Sequence, residues 1–524
     1  MIRGLRLEWI VLAALLGVVS AGADVKLPAL ISDNMVLQQG RRVAIWGTAD
    51  AGEQVTVSLG EQEQLTTADA AGQWKVGLAP LKKGGPFELT VAAKNTITIH
   101  NVLVGEVWVC SGQSNMDFSL LSHGGSGGVR DAEREAAAAN YSLLRLFLVK
   151  KAVAGKPQTD VQGQWVVASP ATVGSFAAVG YFFGRDLYRA MKFPVGLIDS
   201  SWTDTEAEAW ASEAVLQADP DLKVVADSWQ RKIADFPRAV EEYEQKLEQW
   251  EKQAEETEAS GKVALAMPEA LRDPRSSRRR DAGLWNAMVA PLTAYAIAGT
   301  IWYQGESNAE FAYQYRKLFP ALIQQWRESW GEGDFPFLFV QLANYSPGWK
   351  YPDAWPTLRE SQEEALALPK TGMAVAIDVG DPFDIHPKNK QDVGRRLALA
   401  AEAIAYGRKI EYQGPTFKSM RAGKGTLRVH YIHVAGGFVV RGQRLKGFEI
   451  AGDDQKFFPA EAKIEFAEVV LSSSQVSKPV AARYAWANDP GSNLYNKAGL
   501  PAPPFRTDDW PVSLQKMVRT EASW

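Results

Sequence analysis

The pattern of apolar and polar residues changes its period twice along this 524-residue chain. From residue 24 to residue 101, short alternating runs are broken by Gly, Asp and Pro, which is typical of antiparallel strands. The clearest runs lie at 43–46, 54–59, 73–78, 87–92 and 96–99. They predict a small β-sandwich over residues 24–101. Such a module could bind sugar or brace its neighbour, and both roles stay open.

From residue 102 to residue 410, apolar strand-like runs alternate with amphipathic runs of helical period. The strand-like runs lie at 102–109, 143–149, 195–200, 299–303, 337–342 and 373–379, and the helical runs at 176–191, 313–329, 357–368 and 392–405. This alternation predicts an α/β domain with a parallel sheet flanked by helices. In such sheets the functional side chains collect just beyond the carboxyl ends of the strands.

Two further segments differ from this domain. Between residues 212 and 281 the apolar density drops and Glu, Lys and Gln recur at helical spacing, which predicts a solvated helical insertion. It could cover the site, contact another subunit or be a surface excursion, so the oligomeric state stays open. From residue 411 to 524, alternation returns with Gly-rich turns and predicts a C-terminal β module.

Composition and charge narrow the partners and the compartment. The chain is 46% hydrophobic and 23% charged with a net charge of −4, so a nucleic acid partner is not expected. Residues 1–23 combine Arg3 and Arg6 with an apolar run at 9–19 and small residues at 21–23, which predicts a secretory signal peptide. The mature protein would then be periplasmic or extracellular, without a membrane span. An N-terminal membrane anchor is the alternative.

A serine at the end of a predicted strand is the first candidate for chemistry. The run VWVCSGQSNM over residues 107–116 ends in a polar turn that presents Ser114. A serine hydroxyl needs a base and an orienting carboxylate to act as a nucleophile. His386 follows another predicted strand and stands two residues after Asp384, so these side chains supply both types of group. His123 is the rival base.

A nucleophilic serine also needs hydrogen-bond donors for the oxyanion. The backbone N–H of Ser114 and the side-chain amides of Gln304 and Asn308 are candidates, although the amides could equally cap their own turn. The second glycine of the lipase nucleophile elbow is missing, as are HExxH, paired CxxC, the P-loop and a dinucleotide fingerprint. The sequence therefore predicts neither a metal nor a cofactor.

Three blocks of the chain together resemble one family. Residues 104–116, 301–309 and 380–387 resemble the nucleophile, oxyanion and histidine blocks of the sialate O-acetylesterases, which are SGNH-type hydrolases, and further matches lie at 285–292, 483–486 and 493–497. The resemblance implies an SGNH-like domain with both β modules and a serine esterase that removes acetyl groups from sugar hydroxyls. Ser114, His386 and Asp384 would form its triad. The implied substrate is an acetylated carbohydrate, either sialic acid or a plant polysaccharide such as xylan or xyloglucan.

The chain departs from the family pattern Ser-Ser-Trp-Gly-Gly-Thr, because Thr203 and Asp204 replace the two glycines. The Thr203 N–H is still expected to serve the oxyanion hole. The Asp204 carboxylate would repel an oxyanion unless it points away or pairs with substrate hydroxyls. Glu306 and Asn115 are further candidate substrate contacts. A carbohydrate-binding protein with weakened catalysis is the alternative from another functional class.

A second departure concerns the carboxylate of the triad. The wider superfamily carries it three residues before the histidine, and that position is Phe383 here. Asp384 fits the pattern of the narrower family, and Asp381 is the fallback.

Overall fold

The computed structural model describes residues 24–121, 128–259, 266–346, 348, 352–514 and 517–520. Its N-terminal part consists of short strands, in agreement with the predicted alternation. They are β1 (Val36–Gln38), β2 (Val43–Thr48), β3 (Gln54–Leu59), β4 (Gln62–Thr67), β5 (Gln73–Leu78) and β6 (Gly84–Ala92). Strands β4, β3 and β6 pair antiparallel, and β2 pairs antiparallel with β5. Strand β4 was not predicted because it buries no side chain.

A single long strand, β7 (Thr96–Gly112), connects this region to the central sheet. Its first part pairs antiparallel with β6, and its later part lies parallel to β1 and to the neighbouring strands of the central sheet. Sequence patterning predicted two strands here, at 96–99 and 102–109. The pattern changes at Asn101, whose φ is +58°. Every residue from 102 to 112 is buried. The predicted limit between residues 101 and 102 therefore falls within a strand.

The central sheet is parallel apart from one edge strand. Its members besides β7 are β8 (Tyr141–Leu148), β9 (Trp165–Ala168), β10 (Val195–Ser201), β11 (Gly299–Tyr303), β12 (Phe337–Gln341) and β13 (Thr371–Val375). The order is β13-β12-β11-β7-β10-β8-β9, and only β9 runs antiparallel to its neighbour. Strand β7 is thus central and needs both faces covered, which explains its continuous apolar run.

Helices flank this sheet, as predicted. The α-helices of the described residues are α1 (Ser114–Asp117), α2 (Ala132–Ala137), α3 (Ala178–Met191), α4 (Glu213–Ala218), α5 (Pro220–Ala259), α6 (Ala312–Trp330), α7 (Ala354–Glu364) and α8 (Lys390–Ile404). Of these, α3, α7 and α8 contact strands of the sheet, whereas α4 and α5 belong to the insertion. Helices α3 and α8 pack closely at Gly394. A Cβ added at this glycine would lie only 2.6 Å from the Cβ of Phe182. The predicted α/β architecture is confirmed.

The insertion contains α4 and the long helix α5. Helix α5 starts well before the polar stretch that was predicted as helical, because its first turns are amphipathic and bury Leu222, Ala226 and Trp229. Its later turns are highly charged, with exposed pairs such as Glu248 and Lys252 at 2.7 Å. Among the described residues no helix is both long enough and apolar enough to cross a membrane.

The C-terminal region is built from antiparallel strands. They are β14 (Thr416–Ala422), β15 (Leu427–Ile432), β16 (Phe438–Val440), β17 (Phe448–Ala451), β18 (Phe457–Pro459), β19 (Glu461–Glu465), β20 (Glu468–Ser472), β21 (Ala481–Tyr484), β22 (Leu494–Asn496) and β23 (Phe505–Arg506). A buried arginine joins this region to the central domain. The Arg359 guanidinium donates hydrogen bonds to the carbonyl oxygens of Leu342 and Ala343 and to those of Ala487 and Asn488.

Replacing Gly112 by Ala should destabilise the protein strongly. The φ of Gly112 is +134°, and an added Cβ would lie 2.1 Å from the carbonyl oxygen of Tyr303. We expect the free energy of unfolding to fall by about 3 kcal/mol or more, measured by urea denaturation.

Gly333 is the matched control, because its φ is also positive, at +69°, but an added Cβ there meets nothing within 4 Å. Its replacement by Ala should cost only about 1–2 kcal/mol, the price of the backbone conformation itself. Equal losses for the two variants would contradict the close contact at Gly112.

Candidate active site

Ser114 lies where three adjacent strands end together. It is the first residue of α1, directly after β7. The Gln113 N–H donates to the carbonyl oxygen of Tyr303 at 3.0 Å, and the Trp202 N–H donates to the carbonyl oxygen of Gly112 at 3.1 Å. These bonds tie the end of β7 to the ends of β11 and β10. The serine is therefore fixed at the carboxyl edge of the sheet, as predicted, and it is partly exposed.

His386 lines the same cleft as Ser114. The Asp384 Oδ1 lies 3.6 Å from Nδ1 of His386 and accepts a hydrogen bond of 2.9 Å from the His386 backbone N–H. Asp381 instead accepts from the backbone N–H of Phe383 at 2.9 Å, within its own turn. Asp384 is thus the carboxylate that faces the imidazole. The rival base, His123, lies outside the described residues.

The cleft has two lobes that meet at Ser114, Thr203 and His386. The first lobe has a volume of about 420 Å³ and is rich in charge. Its lining includes Asp204, Glu206, Arg279, Glu310 and Arg519. The second lobe has a volume of about 850 Å³ and is lined by Phe118, Leu148, Lys150, Lys151 and Asp199 among others. An open cleft therefore passes the serine on both sides.

Asp199 in the second lobe was not predicted as a site residue. Burial raises the pKa of its carboxyl to about 8, although the hydroxyl of Ser201 donates to it at 2.6 Å. The carboxyl is therefore largely neutral at neutral pH. Its sequence signal was weak, because an Asp near the end of an apolar strand is often only a turn residue.

The predicted oxyanion donors are not all at the cleft. Gln304 donates to Asn308 Oδ1 at 2.7 Å and to the Thr205 carbonyl oxygen at 3.3 Å, while Asn308 donates to Glu208 at 2.8 Å. Both amides are fully buried. Because their N–H groups are held by protein oxygens beneath the surface, the arrangement does not support a direct oxyanion role for either. The Thr203 N–H donates to the Asp117 carboxylate at 2.9 Å.

Two predicted substrate contacts form a buried pair instead. The Asn115 side chain donates to Glu306 Oε1 at 2.6 Å and to the carbonyl oxygen of Ile385 at 3.0 Å. Asn115 is only 1% exposed, so it links loops rather than facing the cleft. Glu306 does line the cleft, and its Oε2 has no hydrogen-bond partner among the described residues. Burial raises the pKa of the Glu306 carboxyl.

Asp204 is neutralised by two cations from the end of the insertion. Arg278 Nη2 lies 2.6 Å from Asp204 Oδ2, and Arg279 Nη2 bonds Asp204 Oδ1. The φ of Asp204 is +58°, the left-handed conformation that a glycine at this position would favour. The carboxylate therefore pairs with two arginines of the protein, an arrangement that the sequence analysis did not consider.

Comparisons with known proteins show the family of this chain. A family model described as a carbohydrate esterase, sialic acid-specific acetylesterase, matches residues 275–403. The sialate O-acetylesterases of Mus musculus and Homo sapiens are 32% and 33% identical to this chain, over 93% of it and over 95% and 93% of their own lengths. The chain belongs to the sialate O-acetylesterase family.

A solved relative extends the match to three dimensions. The crystal structure of a carbohydrate acetylesterase from Xanthomonas citri is 36% identical, with a TM-score of 0.78, and the match covers 93% of this chain and 100% of that one. The present member of the sialate O-acetylesterase family is a carbohydrate O-acetylesterase, and hence a carboxylic ester hydrolase. The sequence-based expectation of an esterase is thereby confirmed.

A buried lysine next to the cleft is a second residue, besides Asp199, that the sequence analysis missed. Lys390, at the start of α8, is 0% exposed and its ammonium group donates to Asn115 Oδ1. It lies 5.1 Å from the ring centroid of Phe118 and 5.5 Å from that of Tyr303. Burial lowers its pKa to about 7. The available signal was a lysine four residues after His386, at the start of an amphipathic helix.

The surroundings of His386 favour the neutral imidazole. Burial lowers the pKa of His386, the Lys390 charge lowers it further, and the Asp384 carboxylate opposes both effects. The ring of Phe118 also lies 5.7 Å from the imidazole ring. A histidine with a lowered pKa stays unprotonated at neutral pH, which is the form that can accept a proton.

Replacing Lys390 by Met should move the pH profile of ester hydrolysis. Lys390 is charged below its pKa of about 7, which covers the range where His386 titrates. Removing that charge raises the pKa of His386, so the acidic limb of kcat/KM should move up by about 0.5–1 pH unit.

Lys388→Met is the control, because Lys388 is exposed on the same loop and its charge is screened by water. Its acidic limb should stay in place. A limb that is unmoved or lowered in the Lys390→Met protein would contradict the electrostatic role of Lys390.

Proposed function

We propose that this esterase works through an acetyl-enzyme in which Ser114 is the nucleophile, His386 the general base and Asp384 the partner of the imidazole. The observation that carries this proposal is the shared cleft of Ser114 and His386, with Asp384 Oδ1 3.6 Å from Nδ1 of His386. An acceptor at Nδ1 favours the tautomer whose Nε2 is free to take a proton. Such geometry often tightens only when substrate is bound.

The reaction proceeds in two steps. Ser114 Oγ attacks the acetyl carbonyl carbon while His386 takes the hydroxyl proton. The bond between the carbonyl carbon and the sugar oxygen then breaks, and the imidazolium returns the proton to that oxygen. Water attacks the acetyl ester of Ser114 with His386 again as base, which releases acetate and restores the serine.

The oxyanion is assigned to backbone donors. The Ser114 N–H is one, and the Thr203 N–H is the second. Thr203 currently donates to Asp117, whose carboxylate is also paired with Lys151 at 2.6 Å, so this donor must change partner when an oxyanion forms. Gln304 and Asn308 are assigned to holding the turn beneath. Glu306, which lines the first lobe, is the candidate residue for contact with a sugar hydroxyl.

The first candidate substrate is an O-acetylated sialic acid, because the mammalian relatives are named for sialate. The second candidate is an acetylated plant polysaccharide such as xylan or xyloglucan. One observation favours the second: the two lobes of about 420 and 850 Å³ extend from Ser114 on both sides, and each has the size of a complete small-molecule site. A chain of sugars could therefore pass the serine.

The Ser114→Ala and His386→Ala proteins should each lose at least about 10³-fold in kcat, because both steps need the two groups. Acetate release from a small chromogenic acetate and from an acetylated oligosaccharide would be measured. His100→Ala is the control, since His100 pairs with Glu88 in the N-terminal region. Full acetate release by the Ser114→Ala protein would refute the mechanism, and loss of activity in His123→Ala but not in His386→Ala would reassign the base.

Side-by-side kinetics on O-acetylated sialic acid and acetylated xyloglucan fragments would choose between the two substrates. A kcat/KM that grows with the number of sugars would favour the polysaccharide. A kcat/KM that is highest for the free sialic acid would favour the first candidate.

We also propose that residues 1–23 are a secretory signal and that the mature enzyme is periplasmic or extracellular. The support is the pair Arg3 and Arg6, the apolar run at 9–19 and the small residues that follow. Mass spectrometry of the exported protein should find an N-terminus near residue 24. An intact N-terminus in the membrane fraction would indicate an anchor instead.

A further inference from the structure

Asp204 makes a bidentate contact with a segment that lies more than 70 residues away in the chain. Its carboxylate accepts from Arg278 at 2.6 Å and from Arg279, as described above. Its backbone carbonyl oxygen accepts from the Nε atoms of the same arginines, at 3.4 Å and 3.2 Å. Both polar ends of one residue therefore hold two consecutive arginines.

The backbone at this position does not depend on the carboxylate. The φ of +58° is available to glycine at no cost and is tolerated by Asp and Asn better than by other side chains. The Asp side chain can therefore be present here without changing the turn, and what it adds is the ion pair with the insertion.

The arginines differ in where they lie. Arg279 lines the first lobe of the cleft together with Ser114 and His386, and its side chain is 23% exposed. Glu206 Oε1 lies 3.7 Å from Arg279 Nη1. Arg278 is not among the lining residues of that lobe and is more exposed. The guanidinium of Arg279 thus faces the cleft, whereas Arg278 binds Asp204 outside the lining of this lobe.

We propose that Asp204 is a positioning residue that fixes Arg279 as the sugar-binding wall of the first lobe. Arg279 carries five N–H donors in a rigid fork, and its contacts with Asp204 and Glu206 leave donors for the hydroxyl oxygens of a sugar. Asp204 itself is then committed to the arginines and does not contact the substrate. The effect falls on recognition of the sugar rather than on acyl transfer. This proposal rests on the proposed site at Ser114.

The test compares two ester substrates in the Asp204→Gly and Asp204→Asn proteins. Both replacements accept the left-handed backbone, so the turn is kept while the charge is removed. We expect KM for an acetylated oligosaccharide to rise, and the ratio of kcat/KM for that substrate to kcat/KM for a small chromogenic acetate to fall about tenfold in Asp204→Gly. Asp204→Asn keeps one acceptor oxygen, so the ratio should fall less in this protein.

A double-mutant cycle ties the effect to Arg279. Arg279→Gln should lower the same ratio, and Asp204→Gly with Arg279→Gln should lower it no further than Arg279→Gln alone, since the two residues act through one group. Additive losses would overturn the proposal. An unchanged ratio in Asp204→Gly would also overturn it, as would an equal loss on both substrates, which would mean that Asp204 acts on the oxyanion turn.

Asp273→Asn is the matched control. Asp273 forms an ion pair with Arg275 at 2.7 Å, a few residues before Arg278 and Arg279, and neither Asp273 nor Arg275 lines the first lobe. Its ratio should equal that of the wild type. Failure of the proposed function is distinguishable, because it would appear as acetate release by the Ser114→Ala protein with either substrate, whatever the Asp204 variants do.

Discussion

The backbone contact at the end of β7 is the constraint on which the site depends. Gly112 lies so close to Tyr303 that no side chain fits between them, and its φ of +134° lets the chain turn sharply into Ser114. The bonds from Gln113 to Tyr303 and from Trp202 to Gly112 then join the ends of three strands. Parallel strands bring their carboxyl ends to one edge, but these contacts fix the serine relative to the neighbouring turns.

A buried network under the serine adds a second level of order. Asn115 accepts a hydrogen bond from Lys390 and donates one to Glu306. It also donates to the carbonyl oxygen of Ile385, the residue before His386. Buried charges cost desolvation, and here burial lowers the pKa of Lys390 and raises that of Glu306. Such a network contributes little net stability. Its value lies in fixing the turn that carries Ser114, the loop that carries His386 and α8 to one another.

Much of the fold, and the positions of Ser114 and His386 in one cleft, could be predicted because their signals are local. The runs at 54–59, 73–78 and 299–303 coincide with the observed strands, and the choice of Ser114 and His386 as candidates follows from the rule that chemistry collects at strand ends. The sequence could not tell which polar side chains after a strand turn inward. Gln304, Asn308 and Asn115 are therefore buried where exposure was expected. The ion pair of Asp204 with Arg279 spans 75 residues, so no local sequence pattern could predict it.

That long-range pair also explains how the turn at Thr203 and Asp204, to which the proposed mechanism assigns an oxyanion donor, can carry a negative charge. An unpaired carboxylate there would oppose the negative charge that develops beside Ser114. With Arg278 and Arg279 bound to both carboxylate oxygens, the Asp204 charge is balanced before substrate arrives. The charge of Asp204 therefore depends on Arg278 and Arg279, which lie at the end of the insertion. In the proposed mechanism, a carboxylate at this turn is compatible with an oxyanion beside Ser114 because a distant segment supplies the compensating charge.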